Sequence, residues 1–189
     1  MKKNLTAFTA LLLCVQFLMA QPPKVPLPAS TFSRNIETIV RDFRNNFLHI
    51  QKELVDKDPD FETYNTTVKI AGAKDCFIRR FRSVKDSSAS WQAVMYEGDD
   101  ADQAAKIYKS TCKSIQRTRV NLNGFGSLGF TGTLNEVSEN VGFAESLFQL
   151  KTDDEQFDLF YAEVEMVNNA PYNYMVNMSL FRKKKDEDK

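Results

Sequence analysis

Tyr172-Asn173-Tyr174-Met175-Val176-Asn177-Met178-Ser179-Leu180-Phe181 is the stretch on which the fold turns. Tyr174, Val176, Met178 and Leu180 alternate with Met175, Asn177 and Ser179. Successive side chains of a strand point to opposite faces, so a period of two marks a half-buried strand of an antiparallel sheet. Working upstream, 157–167 and 141–150 are also strand-like, the latter running on from 133–137.

Before these strands lies a glycine-rich stretch, 119–130. Within it Gly124-Phe125-Gly126-Ser127-Leu128-Gly129 fits G-x-G-x-x-G. In a dinucleotide fold such glycines follow a strand and open a helix whose N-terminus holds the pyrophosphate. Phe130-Thr131-Gly132-Thr133-Leu134 starts no helix, and the pattern lies outside any βαβ unit. Gly124, Gly126 and Gly129 are therefore expected in a connection or hairpin arm that tolerates positive φ, or in a mobile lip over a pocket.

The first half of the chain carries both periods. Ile36, Val40, Phe43, Phe47, Ile50 and Leu54 recur at spacings of three and four, which predicts a helix ending before Pro59, with Ser33 or Thr31 as N-cap. Tyr64, Thr66, Val68 and Ile70 then share one strand face. After the turn at 72–75, Cys76 and Ile78 face one way and Phe77, Arg79 and Phe81 the other. A third strand covers 91–96. Asp100 and Gln103 have the spacing of a capping box, opening a second helix with Ala104, Ile107, Tyr108, Thr111, Cys112 and Ile115 on its inner face. The expectation is an α+β fold in the order α-βββ-α-βββ, a mostly antiparallel sheet of about six strands with two helices packed on it. The similar halves show no residue-level repeat.

The termini read differently. Met1-Lys2-Lys3-Asn4, an apolar run to Met19, and Ala20 before Gln21 make a signal peptide over 1–20. The run is too short to span a bilayer comfortably, so no transmembrane segment is expected after cleavage. Cys14 follows Leu13 rather than a small residue, which argues against a lipid anchor. Residues 21–29 hold four prolines and form a linker; 30–183 is one domain, and 184–189 a charged tail. The expected location is periplasmic or secreted. Without Lys2 and Lys3 the 25 Lys+Arg fall to 23 against 25 Asp+Glu, a charge of −2. Nucleic-acid binding draws on an excess of cations, so that class is excluded.

Several side chains invite chemistry. Cys76 and Cys112 can bridge in an oxidising compartment, contributing about 3–4 kcal/mol, or stand as two buried thiols. His49 is the single histidine and neighbours the apolar stripe, which suits a helix flank better than a triad or metal site. Asp99, Asp100 and Asp102 lack the alternation of a calcium loop and suit a helix N-terminus. Glu163 and Glu165 share a strand face; paired carboxylates hydrolyse glycosides only when they flank the sugar. Arg79, Arg80, Arg82 and Lys85, with Phe77 and Phe81, form a basic, aromatic strip suited to a charged outer face or to phosphate. The 15 phenylalanines can fill a core or line an apolar pocket. Asn65-Thr66-Thr67 and Asn177-Met178-Ser179 are sequons that matter only in a eukaryotic secretory route.

The signal followed by Gln21, Cys76 on a strand, the Ser90-Trp91-Gln92-Ala93 strand and the Ala104-Ala105-Lys106-Ile107-Tyr108 helix together resemble an uncharacterised family of small exported proteins of Bacteroidota. The resemblance implies no activity. No catalytic, cofactor or metal-binding residue is assigned. The expected function is a non-enzymatic exported domain that binds a protein or envelope partner. The alternatives are a carrier of a small apolar ligand between helix and sheet, and an envelope hydrolase that uses carboxylates.

Overall fold

The computed structural model describes residues 30–82, 88–122, 124, 126–137, 143–170 and 173–183. The signal (1–20, with Cys14), the proline-rich linker (21–29), Lys85 and the charged tail (184–189) lie outside the described residues.

The chain runs α1 (Thr31–Phe43), β1 (Gln51–Lys57), β2 (Phe61–Thr66), β3 (Asp75–Phe81), β4 (Ala89–Gly98), α2 (Ala101–Arg117), β5 (Arg119–Leu122), β6 (Gly126–Thr131), β7 (Ala144–Leu150), a 3-10 turn (Glu155–Phe157), β8 (Phe160–Ala170) and β9 (Asn173–Arg182). All strands join one antiparallel nine-stranded sheet, order β1-β2-β3-β4-β9-β8-β7-β6-β5. Two meanders, β1–β4 and β5–β9, thus meet along their last strands. The α+β class stands, but the expected α-βββ-α-βββ order and six strands are corrected to α-ββββ-α-βββββ and nine. The added strands are β1, β5 and β6.

The miss at β1 has a physical cause. Phe47 and Ile50 are buried as the helical stripe predicts, yet the helix stops at Phe43. Asn46 (φ 52°) and Phe47 (φ 62°) take the left-handed backbone, which costs a residue with a β-carbon about 1 kcal/mol or more. The Asp42 carboxylate holds this turn. It accepts from the amides of His49 (3.0 Å) and Ile50 (3.1 Å) and from Asn45 Nδ2 (3.1 Å). Asn46 Oδ1 accepts from the Ala89 amide (2.9 Å), tying the turn to β4. The chain is thereby redirected from a helix into an edge strand, and Leu54 ends up exposed. The helix is capped by Ser30, one residue before Thr31 and three before Ser33, the two predicted caps; its hydroxyl accepts from the Ser33 amide.

The second half follows the sequence more closely. Asp100 caps α2 by accepting from the Gln103 amide at 2.9 Å. Ala104, Tyr108, Thr111, Cys112 and Ile115 are buried against the sheet. The glycine-rich stretch is the hairpin arm β5–β6, with Gly124 (φ 90°) and Gly126 (φ 70°) at its turn. Residues 132–137 are irregular rather than strand. They dock on β7 through Asn135, whose amide donates to Ser146 Oγ (2.9 Å).

Both helices pack on one sheet face. That face supplies Cys76, Ile78, Trp91, Ala93, Phe148, Phe160, Val164, Val176, Met178 and Leu180, all buried. Alternate residues on β7, β8 and β9 are half-buried or exposed, because neither helix covers the opposite face.

Within the core, Tyr108 Oη stands 2.6 Å from Ser146 Oγ and donates to the Asn135 carbonyl at 3.1 Å. Burial pushes the phenol up to about 12. Tyr108→Phe removes both bonds and should cost about 1 kcal/mol in urea unfolding, the usual net worth of such bonds. An unchanged midpoint would show that the network contributes no stability.

Candidate functional site

The register of the sheet builds the helix-free face row by row. One row reads Asn65, Phe77, Gln92, Ser179, Glu163, Leu147 across β2, β3, β4, β9, β8 and β7. The next reads Val94, Asn177, Glu165, Glu145. On the other side, Thr63 pairs with Arg79 and Arg79 with Ser90, while Phe181 pairs with Tyr161. Strands lie about 4.8 Å apart, so some 14 Å separate the aromatic end of the first row, at Phe77, from its carboxylate at Glu163.

At the aromatic end the Arg79 guanidinium lies over two rings, 4.3 Å from the Phe61 centroid and 5.5 Å from that of Phe77. Among the described residues its Nε is buried without a hydrogen-bond partner. Such stacking keeps a cation on an apolar surface, since the ring faces are electron-rich. The predicted basic strip divides here. Arg79, Phe77 and Phe81 share this face. Arg80 turns to the helix side, where it bonds Gln51 Oε1 and the Asn46 carbonyl.

At the other end, three carboxylates converge. Glu165 faces Glu145 directly, and Glu163 lies two residues before Glu165 on the same face. Burial pushes the Glu163 carboxyl up from 4.5 to about 7, helped by the charges of Glu145 and Glu165. Glu165 is raised too, chiefly by burial and then by Glu145. All three project from one sheet face, side by side. Glycoside hydrolysis asks for carboxyls on opposite sides of the bond, about 5 to 9.5 Å apart.

Between the two ends a cleft of about 190 Å³ opens beneath Phe81 and Phe181. Ser90, Gln92, Ser179 and Glu163 line its floor. Gln92 Nε2 donates to Ser90 Oγ at 2.9 Å, which fixes the amide.

The other sequence candidates lie elsewhere. Cys76 on β3 and Cys112 on α2 are free, buried thiols. Cys76 Sγ accepts from the Ile70 amide; Cys112 sits by Tyr108 and Ser146 of β7. β3 and β7 are four strand spacings apart, about 19 Å along the sheet, whereas a disulfide joins Cα atoms about 4.4–6.8 Å apart. Burial raises both thiols, which makes them poor nucleophiles. Gly124 and Gly126 turn the hairpin arm. Gly129 lies on β6 opposite Arg119 and lines a crevice with Lys151 and Asp153. His49 Nδ1 meets Asp42 Oδ1 at 2.7 Å in the α1–β1 turn. Among the described residues no group of His, Cys, Asp and Glu could hold a metal ion, and no helix is long and apolar enough to cross a membrane.

Sequence reading found Glu163, Glu165, Phe77, Arg79 and Phe81 but missed Glu145. Glu145 alternates with the core residues Ala144 and Ser146 on β7, so its face was legible there. Its partner was not, because only the register joins it to Glu165. No protein family, curated protein or solved structure matches this chain.

Proposed function

We propose that this protein is an exported, non-enzymatic binding domain that holds a protein or envelope partner against its helix-free sheet face. One observation carries the reading. Rings, a stacked guanidinium, amides, hydroxyls and carboxylates are set in register across a face that neither helix covers. Aromatic and arginine side chains are the residues that interfaces enrich.

Magnitude separates this reading from the small-ligand carrier. Pockets for drug-sized ligands measure about 300–1,000 Å³. A cleft of about 190 Å³ suits one anchoring side chain. The space between helices and sheet, where an apolar guest was expected, is packed with Trp91, Tyr108, Phe148 and Phe160, each fully buried.

Native mass spectrometry of the protein isolated from its own host tests the proposal. A second protein species should accompany the wild type and a Lys113→Ser control on the outer side of α2. Phe81→Ser with Phe181→Ser should lose at least nine-tenths of it, since buried aromatic anchors each contribute about 2 kcal/mol or more. A species retained by the double variant would place binding elsewhere. A bound mass of a few hundred daltons, on the order of a drug-sized ligand, would favour the carrier.

A further inference from the structure

The two edges of the sheet are treated differently. At β5 the edge is closed by α1: Glu37 Oε2 accepts from the Asn121 amide (3.0 Å), and Arg41 donates to the Asn121 carbonyl. Among the described residues the edge at β1 is open, and every residue from Lys52 to Lys57 is exposed. Leu54 is 46% exposed and Val55 60%, with Leu48, 59% exposed, just before the strand. These are three of the five exposed large hydrophobics among the described residues. An open edge is a template for another strand, and charges on it repel unsuitable ones.

The charges of β1 select one partner. We infer that β1 pairs antiparallel with β1 of a second copy of this chain, about a two-fold axis at Leu54, joining the two sheets into one. In that register Leu54 meets Leu54 of the partner. Lys52 meets the other copy's Asp56, and the two-fold repeats this opposite-charge contact. Gln51 meets Lys57, which is consistent in facing: Gln51 pairs with Thr66 and Lys57 with Glu62, both on the helix side. Sliding by one residue one way sets Lys52 against Lys57 and Glu53 against Asp56, like against like; the other way it sets Lys52 against Val55 and Gln51 against Asp56, and the opposite-charge pair is lost. Sliding by two one way sets Glu53, bonded to Asn65 of the helix-free face, against Lys57 of the helix side; the other way it sets Glu53 against Glu53. The irregularities in β1–β2 pairing at Gln51/Leu54 and Leu54/Asp56 place Gln51, Leu54 and Lys57 on one face, three residues apart. Irregularities of this kind deter unrelated strands but leave this self-register matched.

A seven-residue strand pair buries less than the roughly 1,200 Å² of a stable interface. The dimer is therefore expected to be weak, with a Kd on the order of 10–100 µM. Sedimentation of the protein expressed from its full-length reading frame, from about 1 to about 500 µM, tests this. Wild type should shift from monomer to dimer over that range. Lys52→Asp and Asp56→Lys should each raise the Kd at least tenfold by facing like charges. The double variant, which restores opposite pairs, should recover wild-type association. Circular dichroism guards against misfolding, and the double variant adds a second guard because it carries both changes. A wild type monomeric throughout, or a double variant no tighter than either single one, overturns the inference.

Discussion

Asp42→Ala should lower stability by about 3 kcal/mol and the melting temperature by roughly 9 °C. The carboxylate is buried and accepts from two backbone amides and one side-chain amide in the α1–β1 turn. Hydrogen bonds to a charged acceptor are worth about 1.5–3 kcal/mol, and a buried amide left without a partner costs about 1–3 kcal/mol. The Ile50 amide is such a group, since Ile50 is buried. The loss also releases the left-handed Asn46 and Phe47, whose strain persists only while the surroundings fix it. Asp42→Asn keeps one acceptor and should lose less. His49→Ala should change stability by under about 0.5 kcal/mol, because the side chain is 74% exposed. Urea unfolding of the three variants checks this ordering. A loss below about 1 kcal/mol for Asp42→Ala would mean that Phe47 burial, not the carboxylate, sets the turn.

That turn also shows what was legible in the sequence. Phe47 and Ile50 were recognised as core, and they are core; their spacing said nothing of the backbone that delivers them. Periodicity reports which side chains face inward. A buried carboxylate gathering amides from seven and eight residues ahead leaves no periodic trace. β9 was clear because its two faces differ, Val176, Met178 and Leu180 against Asn177 and Ser179. β5 is only four residues long and β6 holds two glycines, so neither carries enough alternation to be seen. The candidate face was half legible for a related reason. Alternation placed Phe77, Arg79, Glu163 and Glu165 on strand faces. Only register brings β3 and β8 onto one surface, and register between distant strands is set by the closure of both meanders on β4 and β9.

Glu163→Gln should stabilise the protein at pH 8 by about 1–2 kcal/mol and leave it nearly unchanged at pH 4. Folding raises this carboxyl from 4.5 to about 7, mainly through burial on the helix-free face. Between those values the folded chain holds a proton that the unfolded chain has released. Stability therefore falls as pH rises from about 4.5 to about 7, and the full penalty applies above that. A displacement of this size corresponds to about 3 kcal/mol; the group is partly open to water, and screening there reduces it to about 1–2 kcal/mol. Glutamine keeps the shape and polarity without the charge. Lys183 pulls the Glu163 carboxyl in the opposite direction, but more weakly than burial, Glu145 and Glu165 raise it. Glu165 is raised by burial and by Glu145, so a shallower pH slope should remain in the variant. Urea midpoints at pH 4, 6 and 8 decide the matter: the two curves should coincide in acid and diverge through about pH 6. Parallel curves would mean that the Glu163 carboxyl ionises alike in the folded and unfolded chain. Divergence would show a face that is less stable when fully charged, a cost that opposite charge brought by a bound partner would relieve.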